Sequence, residues 1–197
     1  MRVSSATSQW RRLVSGVSLI EVLVAMGVGS LVLAAVSSLT MYAAKATTAM
    51  VNYTDLDTKS RYALDMISRE IRQASALLSF QTNLPVKSFT LTNASQSANI
   101  TLTYDSNART VVMSKTGQAD VTTLTECDTW NFSLYQRTPY ITATNVLYYP
   151  ATNTAGVLDV SLCKLINLSW KCSRTIFAQK VNTESVQAAQ IVLRSKQ

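Results

Sequence analysis

The sequence predicts an α+β protein: one long N-terminal α-helix, transmembrane in its first half, packs its second half on a C-terminal antiparallel β-sheet. Three observations carry this prediction. Residues 22–44 hold no charged side chain, a run long enough to cross a hydrocarbon core of about 30 Å as a helix. From Asp57 to Leu78 apolar residues recur at helical spacing opposite a charged face. Beyond Pro85 the period changes to short alternating runs, the pattern of half-buried strands.

Composition narrows the function before any motif is read. Residues 45–197 suffice for one modest domain with its own core. The chain carries 18 basic and 11 acidic residues, a net charge of +7. Three of the bases, Arg2, Arg11 and Arg12, precede Val17 with no acid among them; without them fifteen bases face eleven acids, a net +4. So small a surplus points only weakly to nucleic acid, which stays an open partner.

No histidine occurs, which removes the usual general base of nucleophilic triads and the commonest transition-metal ligand. The cysteines lack Cys-x-x-Cys spacing, no glycine-rich phosphate loop is present, and Ser161-x-x-Lys164 is a match that a serine-rich chain produces by chance. No catalytic residue, metal or cofactor is assigned, and the chain is read as a non-enzyme.

The apolar run opens on an anomaly, because Glu21 stands at its start, just after Gly16 and a basic leader. Arg11 and Arg12 lie close to the run, and the next positive charge is Lys45. This places the N-terminus in the cytoplasm and the C-terminal part across the membrane. Three processing schemes compete. A secretory signal cut near Ala34-Ala35-Val36 would carry Glu21 inside its apolar region. A twin-arginine signal would use Arg11-Arg12 but lacks much else of that motif. A cut after Gly16 leaves the apolar run on the product.

The third scheme gives Glu21 a use. It frees an amine at Val17, charged near neutral pH because an α-amino group titrates near pH ~8. Four residues separate Val17 from Glu21, so amine and carboxylate share a helix face. The first turn also favours an anion by roughly 0.3–1 kcal/mol. Left unpaired in lipid, the acid costs roughly 2.5–3.5 kcal/mol. The new amine of a neighbouring copy removes that cost on assembly.

Gly16-Val17-Ser18-Leu19-Ile20-Glu21, behind a basic leader and ahead of about twenty apolar residues, closely resembles the type IV prepilin signature. The resemblance implies cleavage between Gly16 and Val17 by an inner-membrane prepilin peptidase, N-methylation of Val17, and an assembly role for Glu21. Val17 stands where the family most often has phenylalanine or methionine. Further implied partners are other pilin or pseudopilin subunits through the N-terminal helix, the inner-membrane assembly platform, and membrane lipid before assembly. On this reading residues 1–16 are the leader, 17–78 the long helix (transmembrane over about 17–44, amphipathic over about 45–78), and 79–197 a globular β-rich domain. Gly27 and Gly29 lie within the apolar run as ordinary transmembrane glycines, and no helix-weakening proline occurs before Pro85.

After Lys45 the helical stripe runs through Ser60, Ala63, Leu64, Ile67, Ile71, Ala74 and Leu78. Asp57–Arg61 and Asp65–Arg69 are expected i,i+4 pairs on the outer face. The whole helix would measure roughly 90 Å at 1.5 Å per residue. Strands are expected at Val86–Thr92, Asn99–Tyr104 and Arg109–Ser114, then around Trp130, Phe132 and Leu134, around Ile166, Leu168 and Trp170, and at 186–194. The aromatic alternation is read as core. The tyrosine- and asparagine-rich loop Tyr140–Gly156 is the expected contact surface.

Arg61–Ala74 also looks like the end of the long helix in PilW-type minor pilins and J-type type II secretion pseudopilins, and Ile191–Arg194 like their last strand. This resemblance implies a subunit that primes a type IV pilus or a type II secretion pseudopilus. A single-pass anchor carrying an extracytoplasmic binding or sensing domain is the alternative, and a DNA-uptake pseudopilin a further one. If Trp130–Tyr135 pairs antiparallel with Leu165–Trp170, Cys127 arrives near Cys172, with a bulge needed to match their faces. A Cys127–Cys172 disulfide is therefore favoured over Cys127–Cys163, with three free thiols as the alternative.

Overall fold

A computed structural model of the chain describes residues 16–93, 98–141, 146–175 and 184–193. One helix, α1 (Leu19–Gln73), precedes ten strands. These are β1 (Ala76–Gln81), β2 (Val86–Asn93), β3 (Ala98–Asp105), β4 (Thr110–Lys115), β5 (Val121–Leu124), β6 (Cys127–Tyr135), β7 (Tyr140–Ile141), β8 (Val146–Leu147), β9 (Leu165–Ser173) and β10 (Glu184–Val192). The chain divides into two compact units, one ending at Ala46 and one beginning at Thr47.

In the first unit α1 is apolar on every side. Leu23, Leu31, Leu33 and Leu39 are each more than 60% exposed, and the helix is long and apolar enough to cross a membrane. Three of its hydroxyls are absorbed by the backbone. Ser30, Ser38 and Thr40 donate to the carbonyls of Gly27, Ala35 and Ser37 at 2.8, 2.8 and 2.9 Å. Such a surface is at home against lipid or other helices.

In the second unit α1 buries Leu56, Ser60, Ala63, Ile67, Glu70 and Ile71, steps of three and four that make one stripe. The expected stripe is therefore the buried one, with Leu64 partly covered. The helix ends at Gln73, short of the expected Leu78. Ala74 N–H is shared between the carbonyls of Glu70 (3.1 Å) and Ile71 (3.2 Å), the tightening of a last turn. Ser75 then donates to the Thr92 carbonyl through both its N–H (2.8 Å) and its Oγ (3.0 Å), drawing the chain into β1 beside β2. Leu77 is buried and Leu78 is 47% exposed, so the strand period has replaced the helical one.

The strands form an antiparallel five-stranded sheet in the order β1-β2-β3-β4-β5, a three-stranded sheet β10-β9-β6, and the β7–β8 hairpin. The expected meander of β2, β3 and β4 is present, extended by β1 and β5, which the alternation did not reveal. The last strand joins β9 in the second sheet and does not close the first. Inward residues alternate along β2 to β4: Phe89, Leu91, Ile100, Leu102, Tyr104, Val111 and Met113 are all buried.

Aromatic side chains join the two sheets. Trp130 stacks on Phe89 with ring centres 5.5 Å apart and planes 7° from parallel, and it lies 6.2 Å from Tyr104. Tyr104 Oη donates to the Asp128 carbonyl at 2.8 Å, and Lys87 Nζ to the Trp130 carbonyl at 3.1 Å. The aromatic stripe is thus core, as its period implies. Trp130 faces Trp170 in the β6–β9 register, and Trp170 Nε1 donates to Ser60 Oγ on the helix at 3.4 Å.

Candidate functional site

The expected processing segment lies where the described residues begin, in the first unit. Gly16, Val17 and Ser18 are non-helical and exposed, and α1 begins at Leu19. The Gly16–Val17 bond therefore lies two residues ahead of the helix. Among the described residues nothing demands a glycine there. A Cβ placed on Gly16 would meet no atom within 4 Å.

Ser18 and Glu21 build the helix start between them. Ser18 N–H donates to Glu21 Oε2 at 2.9 Å and Ser18 Oγ donates to the same oxygen at 3.2 Å, while Glu21 N–H donates to Ser18 Oγ at 3.3 Å. This is a capping box, which satisfies two helix-terminal N–H groups reciprocally. The Ser-x-x-Glu spacing was there to be read in the sequence. The reading of Glu21 as an acid awaiting a neighbour's amine overlooked it. Within one chain the carboxylate already has polar company on Oε2, while Oε1 has no hydrogen bond among the described residues. Val17, Leu19, Val22, Leu23 and Met26 form an apolar surface beside it. Arg11 and Arg12 lie outside the described residues.

The second constellation surrounds Cys127 and Cys172 in the second unit. These residues are direct partners in the β6–β9 register, which shifts by one between Cys127 and Thr129. Both are buried thiols, as is Cys163. Cys127 Sγ donates to the Thr129 carbonyl at 3.3 Å, and Cys172 Sγ accepts from Ser60 Oγ at 3.8 Å. Cys163 lies just before β9 and donates to the Leu165 carbonyl at 3.7 Å.

An ionic clasp adjoins the pair. Arg174 grips Glu126 in a two-pronged contact, Nε to Oε1 at 2.8 Å and Nη2 to Oε2 at 2.6 Å. It also reaches Asn52 Oδ1 at 2.7 Å and Asp55 Oδ2 at 3.1 Å on the helix. The guanidinium holds the Glu126 carboxyl below its usual range, against a smaller opposing effect of burial. Asp55 is lowered chiefly by Lys59, its i,i+4 neighbour at 2.9 Å. Arg109 bonds Asp128 Oδ1 at 2.6 Å and the Ser173 carbonyl at 2.7 Å, while Ser173 Oγ donates to Asp128 Oδ2.

On the helix face, Asp57–Arg61 forms at 2.7 Å as expected. The expected Asp65–Arg69 pair does not form among the described residues; these side chains line a groove with Arg72 and β10 instead. Glu70, expected on neither face, is buried and paired with Lys115 Nζ at 2.6 Å. Among the described residues no group of three His, Cys, Asp or Glu is placed to hold a metal ion. In the Tyr140–Gly156 segment, Tyr140, Ile141 and Tyr148 are each more than half exposed, and Arg137 lies 3.6 Å above the Tyr149 ring. Residues 142–145 lie outside the described residues.

Residues 11–37 match the family model described as a prokaryotic N-terminal methylation motif. The match covers the cleavage position, Val17, Glu21 and most of the apolar run, and it supports a type IV pilin-like precursor of the kind a prepilin peptidase processes. It also fits membrane anchoring through α1 and assembly with other pilin subunits. No curated protein matches the chain significantly. No solved structure does so either.

Proposed function

We propose that the chain is a minor pilin or pseudopilin, cleaved after Gly16, N-methylated at Val17, and assembled through its N-terminal helix into a type IV pilus or type II secretion pseudopilus that it helps to start. It has no catalytic role of its own. Before assembly it sits in the inner membrane with its N-terminus cytoplasmic and its C-terminal domain extracytoplasmic. The inner-membrane assembly platform then transfers it into the filament.

One observation carries this reading: an exposed Gly16–Val17 bond stands directly ahead of a capped carboxylate and an uninterrupted apolar helix. Cutting there makes a charged amine one helical turn from Glu21. The open Oε1 can take that amine from an adjacent subunit while Ser18 keeps Oε2. Exposed apolar side chains on all sides of α1 then pass from lipid to neighbouring helices with little change in burial energy. Priming, as distinct from bulk polymerisation, rests on the likeness of Arg61–Ala74 to PilW-type and J-type subunits.

The test is mass spectrometry of the full chain purified from membranes with and without prepilin peptidase. A chain beginning at Val17, heavier by one methylene, is expected only when the peptidase is present. Retention of Met1, or a cut near Ala35, would replace this reading with that of a membrane-anchored binding domain.

A further inference from the structure

The register of β6 and β9 leaves two buried thiols side by side with no role in processing or assembly. Ser173 N–H donates to the Glu126 carbonyl at 3.0 Å, which makes these two residues a hydrogen-bonded pair of the ladder. The next pair inward, Cys127 and Cys172, is therefore a non-hydrogen-bonded one. Consistently, Cys127 N–H turns away to the Arg109 carbonyl at 2.9 Å. Non-hydrogen-bonded partners have Cα atoms roughly 4.5 Å apart, within the roughly 4.4–6.8 Å that a disulfide spans. The register shift after Cys127 brings its side chain to the same inner face as Trp130 and Cys172, and both sulfurs are essentially inaccessible to solvent. Cys163 is nine residues from Cys172 along the β9 segment, about 30 Å of extended chain, too far to bridge to it.

We propose that Cys127 and Cys172 are joined by a disulfide in the mature protein and that Cys163 remains a thiol. The placement of this domain in an oxidising extracytoplasmic compartment rests on the function proposed above. The oxidant is a disulfide-bearing thiol oxidoreductase. One cysteine thiolate attacks its disulfide and expels one oxidant sulfur as thiolate, and the second cysteine thiolate then attacks the mixed disulfide and expels the other. Two S–H bonds and the oxidant's S–S bond are lost, one S–S bond forms here, and two protons and two electrons end on the oxidant as a dithiol. Because both sulfurs are buried once β6 and β9 have closed, exchange takes place while these strands come together.

The adjacent Cys172 and burial push the Cys127 thiol up, while its neighbour Cys127 holds Cys172 down against burial. Cys172 also accepts from Ser60 Oγ on the helix at 3.8 Å. The bond ties the base of β6 to β9 beside the Arg174 clasp and closes the segment carrying the β7–β8 hairpin. That segment holds the exposed tyrosines, so the disulfide fixes the footing of the face expected to meet partners.

The experiment uses full-length protein from membranes, acid-quenched and then unfolded, with thiols alkylated by N-ethylmaleimide in denaturant and counted by intact mass. One adduct without reduction and three after it is the expected result. A linked peptide pair containing Cys127 and Cys172 is expected in the digest. Reduction should lower the melting temperature in detergent by about 10 °C, an effect absent in a C127S/C172S variant and present in C163S. Three adducts without reduction, or a link through Cys163, overturns the proposal. The same mass spectrum reads the N-terminus. A disulfide on a chain that starts at Met1 would refute the processing reading alone, and three thiols on a chain that starts at Val17 would refute the disulfide alone.

Discussion

Ser18 and Glu21 cap each other at the start of α1, with the Ser18 amide 2.9 Å from Glu21 Oε2 and the Glu21 amide 3.3 Å from Ser18 Oγ. The acid that looks isolated in the sequence is thus a working part of the helix terminus before any partner arrives. Its two oxygens can divide between two tasks, one local and one between subunits.

Ser18→Ala removes the local task alone. Losing a serine cap costs about 1 kcal/mol, so the amides of the first turn should exchange with solvent about fivefold faster. Cleavage after Gly16 should persist. Glu21→Ala should also be cleaved, yet fail to enter the filament, as read by immunoblotting sheared filaments against membranes. Normal incorporation of Glu21→Ala would show that the intersubunit task does not exist.

Ile67 is fully buried in the centre of the helical stripe. Ile67→Ala should destabilise the domain by about 3 kcal/mol, lowering the melting temperature by roughly 6–12 °C. Arg61→Ala, on the outer face with 72% of its side chain exposed, should shift it by less than about 1 °C. Equal effects would mean that α1 does not pack as described.

Glu70 and Lys115 form a largely buried ion pair in the second unit, with the Glu70 side chain 4% exposed and its Oε2 unpartnered among the described residues. Lys115→Met leaves that carboxylate without a counter-charge and should cost about 3 kcal/mol. Adding Glu70→Leu should recover most of the loss, because a paired charge replaced by apolar volume is often neutral. Denaturant unfolding of the two single variants and the double variant checks this.

Glu126 has its carboxyl held below the usual range by Arg174. A group whose folded pKa lies below its unfolded value adds stability at pH above the unfolded value, near ~4.3, and loses it as pH falls through the folded value. Melting temperature should therefore fall on acidification below about pH 4.3. Glu126→Gln should start from a lower melting temperature at neutral pH and show a shallower decline. An unchanged acid limb in this variant would mean that the clasp contributes nothing to acid sensitivity.

Much of the fold was legible because local period and long-range packing agree. Ala63, Ile67 and Ile71 sit where a helix must bury them, and the alternation of β2 to β4 matches their pleat. Even the bulge beside Cys127 followed from the mismatch of its position with Trp130. The end of α1 was not legible. Ala74, Leu77 and Leu78 satisfy either a helical or an extended period, and the choice is made by Ser75 finding Thr92, a partner seventeen residues away. The separation into two sheets is equally non-local, since it depends on which strand β10 meets. Arg174 and Asn52 lie 122 residues apart, and no local pattern announces their contact. The Ser18–Glu21 cap did have a local signature, and it was masked by the more conspicuous problem of an acid beside an apolar run.

The vacant space around Gly16 separates two quantities that mutagenesis usually confounds. A Cβ there meets no described residue within 4 Å, so if the bond is cut as proposed, a graded series from alanine to valine to phenylalanine reads the tolerance of whatever grips it. On that proposal the precursor becomes a ruler for its processing enzyme.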